Sequence, residues 1–312
     1  MRMHAIEIQG LSKNYTVGFW RKQSEPALKP FDLSVNAGET FGFLGPNGAG
    51  KTTTLKLLMG IIFPTSGTAR ILGQDFRDPE IKRRTGFLPE QPYFYDYLSA
   101  TELLDYYAQL SGVPAAGRKQ KIAELLERVG LGDAGKKHLR KFSKGMLQRV
   151  GIAQAIIHDP EVIFLDEPMS GLDPLGRYEM REMIQDLKDR GKTIFFSTHI
   201  LSDAEALCDR VAVIHKGELR GVGVVNDLQS SVASKTEVIW NGAHALAGVT
   251  NLLIGSHVTG DTVRATVGQP ELDAVLEKLR QQRASLVSVT PLHGTLEEYF
   301  LSKTTEQETV KV

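Results

Sequence analysis

One cysteine, Cys208, stands alone in 312 residues, which rules out an internal disulfide and fits a reducing compartment such as the cytosol. Neither sign of charge prevails. Lys plus Arg and Asp plus Glu number 37 each, so no global field draws the chain to nucleic acid or to an acidic surface. No apolar run approaches the roughly 20 residues needed to cross a bilayer. The opening MRMHAIEIQGLSKNY lacks the charged-then-apolar order of a secretory signal. Internal repeats and low-complexity blocks are also missing, so any membrane role is expected to pass through a partner. What is present is 41% hydrophobic and 24% charged residues, enough for one large or two modest globular domains.

The chain opens on a strand pattern, AIEIQGLSKNY, followed by PFDLSVNAGETFGFLG, which reads as a strand, a turn at Asn36 to Gly38 and a short buried strand. TTTLKLLMGII continues as a helix. From about 95 to 155 the texture is helical: Ser99 and Glu102 have capping-box spacing, and Ile122, Leu125, Leu126 and Val129 make one apolar face before Gly130. VIFL (162–165) and TIFF (193–196) are continuously apolar, as parallel strands covered on both faces require. Met180, Met183, Ile184 and Leu187 form a helical stripe between them, giving a strand, helix, strand crossover closed by Gly191. Later, TEVIW, TVRATV and SLVSVT read as strands and PELDAVLEKLRQQR and TLEEYFLSK as helices.

The stretch GPNGAGKTTT, 45–54, follows the apolar FGFL and precedes a helix. Gly45 to Thr52 matches G-x-x-x-x-G-K-[ST] in the context that gives the pattern meaning. A loop of Gly45, Pro46, Asn47, Gly48, Ala49 and Gly50 lets backbone N–H groups close on a polyanion, with the helix dipole behind it and Thr53 following in the first turn. Lys51 is placed to reach the β- and γ-phosphates, and the Thr52 hydroxyl to ligate Mg²⁺. Asp166, at the end of VIFLD, is a second Mg²⁺ residue, and Glu167 beside it can polarise a water for attack on the γ-phosphate. His199 ends TIFFSTH as Asp166 ends VIFLD. All three groups fall at the carboxyl ends of expected parallel strands, where open α/β sheets place ligands, so His199 is expected on the γ-phosphate. Cys208, without a second thiol, reads as helix packing.

With GPNGAGKT, FSKGMLQR (142–149), FLDEP, SGLD (170–173) and STH in this order, the chain resembles ABC-type ATPases, the nucleotide-binding subunits of transporters, over roughly residues 4–224. The resemblance implies a P-loop NTPase fold: an α/β core of mainly parallel sheet with an antiparallel β subdomain and a helical insertion. A small C-terminal α+β domain is expected after it. The expected divisions are 1–225 for the ATP-binding domain, 232–303 for the accessory domain and 304–312 for a polar tail. It also implies binding of ATP and Mg²⁺, and a homodimer that sandwiches two ATPs head to tail. Ser143, Lys144 and Gly145 of the signature and Asp173 of the D-loop would then meet the partner's nucleotide. Lys144 departs from the family, standing where a glycine is usual. Tyr15 lies where the family stacks an aromatic on adenine, with Phe19 and Trp20 as alternatives. The family's Q-loop glutamine has two candidates, Glu90 and Gln91, each able to offer oxygen to Mg²⁺ or its water.

The same resemblance, strongest to subunits of ABC-2 type exporters, implies a separately encoded membrane permease docked near PYFYDYLSATE. The protein would then be cytoplasmic and peripheral to the inner face of the membrane. A soluble ABC ATPase acting on DNA or ribosomes is the competing class. It fits less well, because the 92 residues between Gly50 and Ser143 hold only short helices and the sequence shows one cassette, and no nucleic-acid partner is expected. A regulator that does not hydrolyse conflicts with Glu167 and His199 both being present.

Overall fold

Apolar runs and alternating runs sort into different sheets of the computed structural model, which describes residues 4–17, 23–231, 235–292 and 294–305. The chain divides into one unit over Met1–Gly223 and another over Val224–Val312. The first unit begins β1 (His4–Val17), β2 (Gln23–Asn36), β3 (Thr40–Leu44), α1 (Lys51–Leu58), β4 (Ser66–Ile71), β5 (Gln74–Asp75) and β6 (Thr85–Leu88). Helices α2 (Ala100–Leu110), α3 (Arg118–Arg128) and α4 (Lys144–Ile156) follow, then β7 (Val162–Asp166), α5 (Pro174–Asp189), β8 (Thr193–Thr198), α6 (Leu201–Leu207), β9 (Arg210–His215) and β10 (Glu218–Val224).

The central sheet has the order β10-β9-β3-β8-β7-β6, with β9, β3, β8, β7 and β6 parallel to one another. Both faces are covered, which explains runs without polar alternation. Phe41, Phe43, Phe164 and Phe195 pack on one side with the antiparallel sheet β2-β1-β4-β5 and α1. Ile163, Leu165, Ile194 and Phe196 pack on the other side with the helical insertion and α5. Phe195 lies 5.5 Å, ring to ring, from both Phe41 and Phe43. The fold is thus the expected P-loop type.

Local signals act where the sequence places them. The Ser99 side chain accepts from the Glu102 backbone, and the Glu102 carboxylate accepts from the Ser99 N–H at 2.8 Å, closing the capping box of α2. Met180, Ile184 and Leu187 are buried on α5, and Gly191 at φ +77° ends the segment. Cys208 packs under β3: a Cβ on Gly42 would lie 2.6 Å from its Sγ, and burial pushes the thiol pKa well up.

The second unit contains α7 (Val225–Ser231), β11 (Lys235–Asn241), β12 (Leu253–Thr259), β13 (Thr262–Gly268), α8 (Leu272–Gln281), β14 (Ser285–Leu292) and α9 (Leu296–Thr305). Its antiparallel sheet, β12-β13-β11-β14, packs Val238, Trp240, Val263 and Val267 beneath Val275 and Leu279 of α8. Helix α7, which the sequence pattern does not single out, packs with α9, and the unit accordingly begins ahead of residue 232. Strand β12 is also unpredicted: six of its seven residues are exposed, so it lacks a buried alternation. Residues 306–312 of the expected tail lie outside the described residues. Among the described residues no helix is long and apolar enough to cross a membrane.

Phe195→Ala is expected to cost about 3–5 kcal/mol, because a fully buried ring leaves a cavity that a two-sided sheet cannot close. Ser99→Ala is expected to cost about 1 kcal/mol through the lost cap. Urea unfolding of the two variants against the parent measures both.

Candidate functional site

Neighbouring parallel strands end together at one edge of the central sheet. Leu44 at the end of β3 pairs with Thr198 of β8, and Asp166 at the end of β7 pairs with Ser197 of β8. Beyond β3 the chain turns through Gly45, where a Cβ would lie 2.3 Å from the Ile214 carbonyl oxygen, and leaves through Gly50 at φ +110°. No other residue type fits either position without displacing backbone or strain. The first turn of α1 has no acidic residue, so its free N–H groups and positive end face the space inside the loop unneutralised.

That space is a cleft of about 370 Å³. Asn47, Gly48, Gly50, Lys51, Thr52 and Thr53 line it from the loop and α1, Ala27 from β2, and Glu90 and Glu167 from across it. Gly45, Pro46 and Ala49 support it from behind. Lys51 donates to the carbonyls of Gly45 at 2.7 Å and Pro46 at 3.2 Å, and the Gly217 N–H donates to the Ala49 carbonyl at 3.0 Å. Lys51 is 5% exposed and its ammonium stands 3.0 Å from Oε1 of Glu167, an ion-pair contact without hydrogen-bond alignment.

The two acids differ in setting. Asp166 is buried, and its Oδ1 accepts from the Ser197 hydroxyl at 2.6 Å and the Thr52 hydroxyl at 3.2 Å. Burial pushes its pKa up; the two hydroxyls oppose this, and the neighbouring Glu90 and Glu167 add to it. Glu167 has φ +49°, a left-handed backbone that costs a non-glycine residue on the order of 1–3 kcal/mol. Its N–H is held by Ser197, donating to the carbonyl at 3.2 Å and the hydroxyl at 3.0 Å. This turn carries the carboxylate over the strand end, where Oε2 meets Nδ1 of His199 at 2.8 Å. Since an ionised carboxylate only accepts, His199 donates in that contact.

Lys51, Thr52, Asp166, Glu167 and His199, distant in sequence, are therefore brought together in one constellation of hydrogen bonds and an ion pair. Of the two Q-loop candidates, Glu90 lines the cleft, whereas the Gln91 side chain is exposed and accepts from the Tyr93 hydroxyl at 3.0 Å. Ser143 caps α4, its Oγ accepting from the Met146 N–H at 3.3 Å, with Lys144 and Gly145 in the first turn. Asp173 caps α5, accepting from the Gly176 N–H at 3.1 Å. None of these four lines the cleft of its own chain. Tyr15 lies on β1, paired with Glu25 and outside the cleft lining, with the Lys13 ammonium 5.2 Å from its ring centre. Phe19 and Trp20 fall outside the described residues.

Two side chains that sequence reasoning missed complete the arrangement. Ser197 sits directly opposite Asp166 in parallel register, a neighbour that aligning VIFLD with TIFFST would have located. Gln148 of α4 is 1% exposed and donates through Nε2 to the Glu90 carbonyl at 3.1 Å. No local pattern marks a buried glutamine in a helix as a tie to a distant loop.

A family model described as ABC transporter matches residues 28–170. An uncharacterized ABC transporter ATP-binding protein of Synechocystis is 44% identical over 98% of this chain and 86% of its own length. The daunorubicin/doxorubicin resistance ATP-binding protein DrrA of Streptomyces peucetius is 34% identical over 97% of this chain and 90% of its own. Among solved structures, a dimeric post-hydrolysis state of an ATP-binding cassette bound to ADP and Pi superposes with a TM-score of 0.64. It is 25% identical and covers 70% of this chain and 98% of its own.

The raised pKa of Asp166 has a consequence for stability. The folded chain holds this proton more tightly than the unfolded one, so its contribution is present at low pH and lost as pH rises through the folded-state value. Asp166→Asn, which keeps an acceptor for Ser197 and Thr52, is therefore expected to raise the melting temperature of the ligand-free protein at neutral pH. Paired thermal melts at acid and neutral pH check the sign.

Proposed function

This chain belongs to the ATP-binding subunits of ABC transporters, and we propose that its ATP hydrolysis drives export through a separately encoded permease, two copies closing head to tail on two nucleotides. The observation that carries the reading is the Glu167 carboxylate, poised between the Lys51 ammonium at 3.0 Å and the His199 imidazole at 2.8 Å.

In this reading the loop N–H groups and α1 bind the β- and γ-phosphates, drawing Lys51 from its carbonyl partners. Glu167 orients a water and takes its proton as the water oxygen bonds to the γ-phosphorus. The bond from that phosphorus to the bridging oxygen breaks, leaving ADP and phosphate. His199 holds the Glu167 carboxylate in place and offers a positive edge to the γ-phosphate. Mg²⁺ fits the donors available: the Thr52 hydroxyl, the Asp166 carboxylate and the Glu90 carboxylate are hard oxygen ligands facing the phosphate loop. Among the described residues no cluster of three or more His, Cys, Asp or Glu forms a metal cage, and Mg²⁺ is commonly held by one or two carboxylates plus substrate phosphate. When bound, the ion neutralises charge developing on the phosphates.

Ser143, Lys144, Gly145 and Asp173 present two capped helix starts away from their own cleft. A second copy placing them over the γ-phosphate would give them a role, and the dimeric, nucleotide-bound relative supports it. The drug-resistance relative supports export. Exposed Tyr93, Tyr95 and Tyr97, just past the Q-loop, suit a permease contact.

Glu167→Gln is expected to lower turnover by about 10²–10⁴-fold while leaving MgATP binding intact and trapping an ATP-bound dimer. Malachite-green phosphate release and light scattering read both effects. Wild-type specific activity should rise with protein concentration, since completion of the γ-phosphate cage in trans is worth about 10³–10⁵ in related phosphate-transfer enzymes. Flat specific activity down to concentrations where only monomer scatters would overturn the head-to-tail reading.

A further inference from the structure

Helix α6 is seven residues long, too short to hold its own shape in water, so its place is set by what it packs against. Three of its side chains are buried: Asp203, Ala204 and Leu207. Leu207 joins the core shared with the helical insertion, and the Ala204 methyl stands 3.7 Å from where a Cβ on Gly42 of β3 would lie. The third is a carboxylate, 1% exposed, in the first turn of the helix. Its Oδ1 faces Nε of Arg181 on α5 at 4.0 Å, and its Oδ2 is buried without a hydrogen-bond partner among the described residues.

Arg177 precedes Arg181 by four residues on α5 and so shares its face. The Nε atoms of both are buried, and neither has a hydrogen-bond partner among the described residues. Burial pushes the Asp203 pKa up, Arg177 and Arg181 pull it down, and the charges of Glu167 and His199 act on it in opposite senses. The carboxylate thus lies within electrostatic reach of the arginines of α5 and of the Glu167 and His199 pair. Packing alone does not call for this arrangement. An apolar side chain of similar size holds two helices as well as a buried ion pair does, because a buried charge gives up its hydration. What charge adds is direction, since a planar guanidinium accepts a carboxylate only in certain orientations.

Both ends of the contact lie about one turn from groups of the site. His199 and Ile200 alone connect β8 to α6, and the Asp203 N–H donates to the Ile200 carbonyl at 3.3 Å. On α5 the Arg177 N–H donates at 2.9 Å to the carbonyl of Asp173, the residue that caps the helix. A shift of α6 therefore moves the His199 backbone, and with it the ring that meets Oε2 of Glu167. Misplacing a catalytic group by about 1 Å can cost on the order of 10²-fold in rate.

We propose that Asp203, facing Arg177 and Arg181, is a positioning residue for hydrolysis: it fixes α6 against α5 and so holds His199 on the Glu167 carboxylate. The inference rests on the ATPase reading above and deepens it, since Asp203 is not among the residues that line the cleft and acts through His199.

Phosphate release by the full chain at saturating MgATP tests this, well below the melting temperature and with MgATP affinity measured alongside. Asp203→Asn, which keeps the shape and removes the charge, is expected to lower turnover about 10–10²-fold and to leave MgATP affinity unchanged. Asp203→Glu, whose carboxylate reaches further across the gap to Arg181, should recover most of that loss. Arg177→Gln/Arg181→Gln should show a loss of similar size to Asp203→Asn. The deciding comparison is made in a His199→Ala background, where Asp203→Asn should lower turnover no further, because nothing is left for it to position. If Asp203→Asn does not fold, the arginine variant carries the same comparison. A lowered melting temperature with turnover per folded molecule unchanged, an equal loss with and without His199, or a loss in Asp203→Glu as deep as in Asp203→Asn overturns the proposal. Absence of turnover in the wild type overturns the ATPase reading and this inference together, whereas wild-type turnover with additive losses overturns this inference alone.

Discussion

A carboxylate that shares one side with an ammonium and the other with an imidazole, close to the end of a buried strand, is the contact on which the rest of this structure depends. Glu167 is aimed by the Lys51 and His199 side chains that flank it and by Ser197, which fixes its backbone. Each partner arrives from a different strand end, so the parallel register of β3, β8 and β7 is a functional specification as well as a packing one. The left-handed turn at Glu167 is part of the same arrangement. It is strain held by the surrounding strands, and it turns the side chain out of the sheet toward the phosphate loop.

The two-sided core supplies the rigidity this needs. Phenylalanines 41, 43, 164 and 195 fill one face while Ile163, Leu165, Ile194 and Phe196 fill the other, so a strand cannot slip without exchanging its faces. At the carboxyl ends of β7 and β8 the buried polar pair Asp166 and Ser197 satisfy one another.

Much of this was legible in the residues themselves. The phosphate loop, the acid pair and the histidine follow strict spacing because backbone approach to phosphate and strand-end placement tolerate few residue types. Ser99, Glu102 and the apolar stripes of α3, α5 and α8 were equally readable, being local in sequence. What resisted was relational. Whether Glu90 or Gln91 faces the cleft depends on how the chain leaves β6, which no periodicity encodes. Ser197 and Gln148 matter through partners 31 and 58 residues away, and strand β12 lacks the buried alternation that would betray it.

The hydrogen bond from Gln148 to the Glu90 carbonyl joins two parts of the molecule that otherwise answer to different neighbours. Glu90 borders the cleft, while Gln148 rides a stiff rod of 13 residues whose leading tip is Ser143. The loop that borders the cleft and the tip that carries Ser143 are thus fastened to one and the same helix.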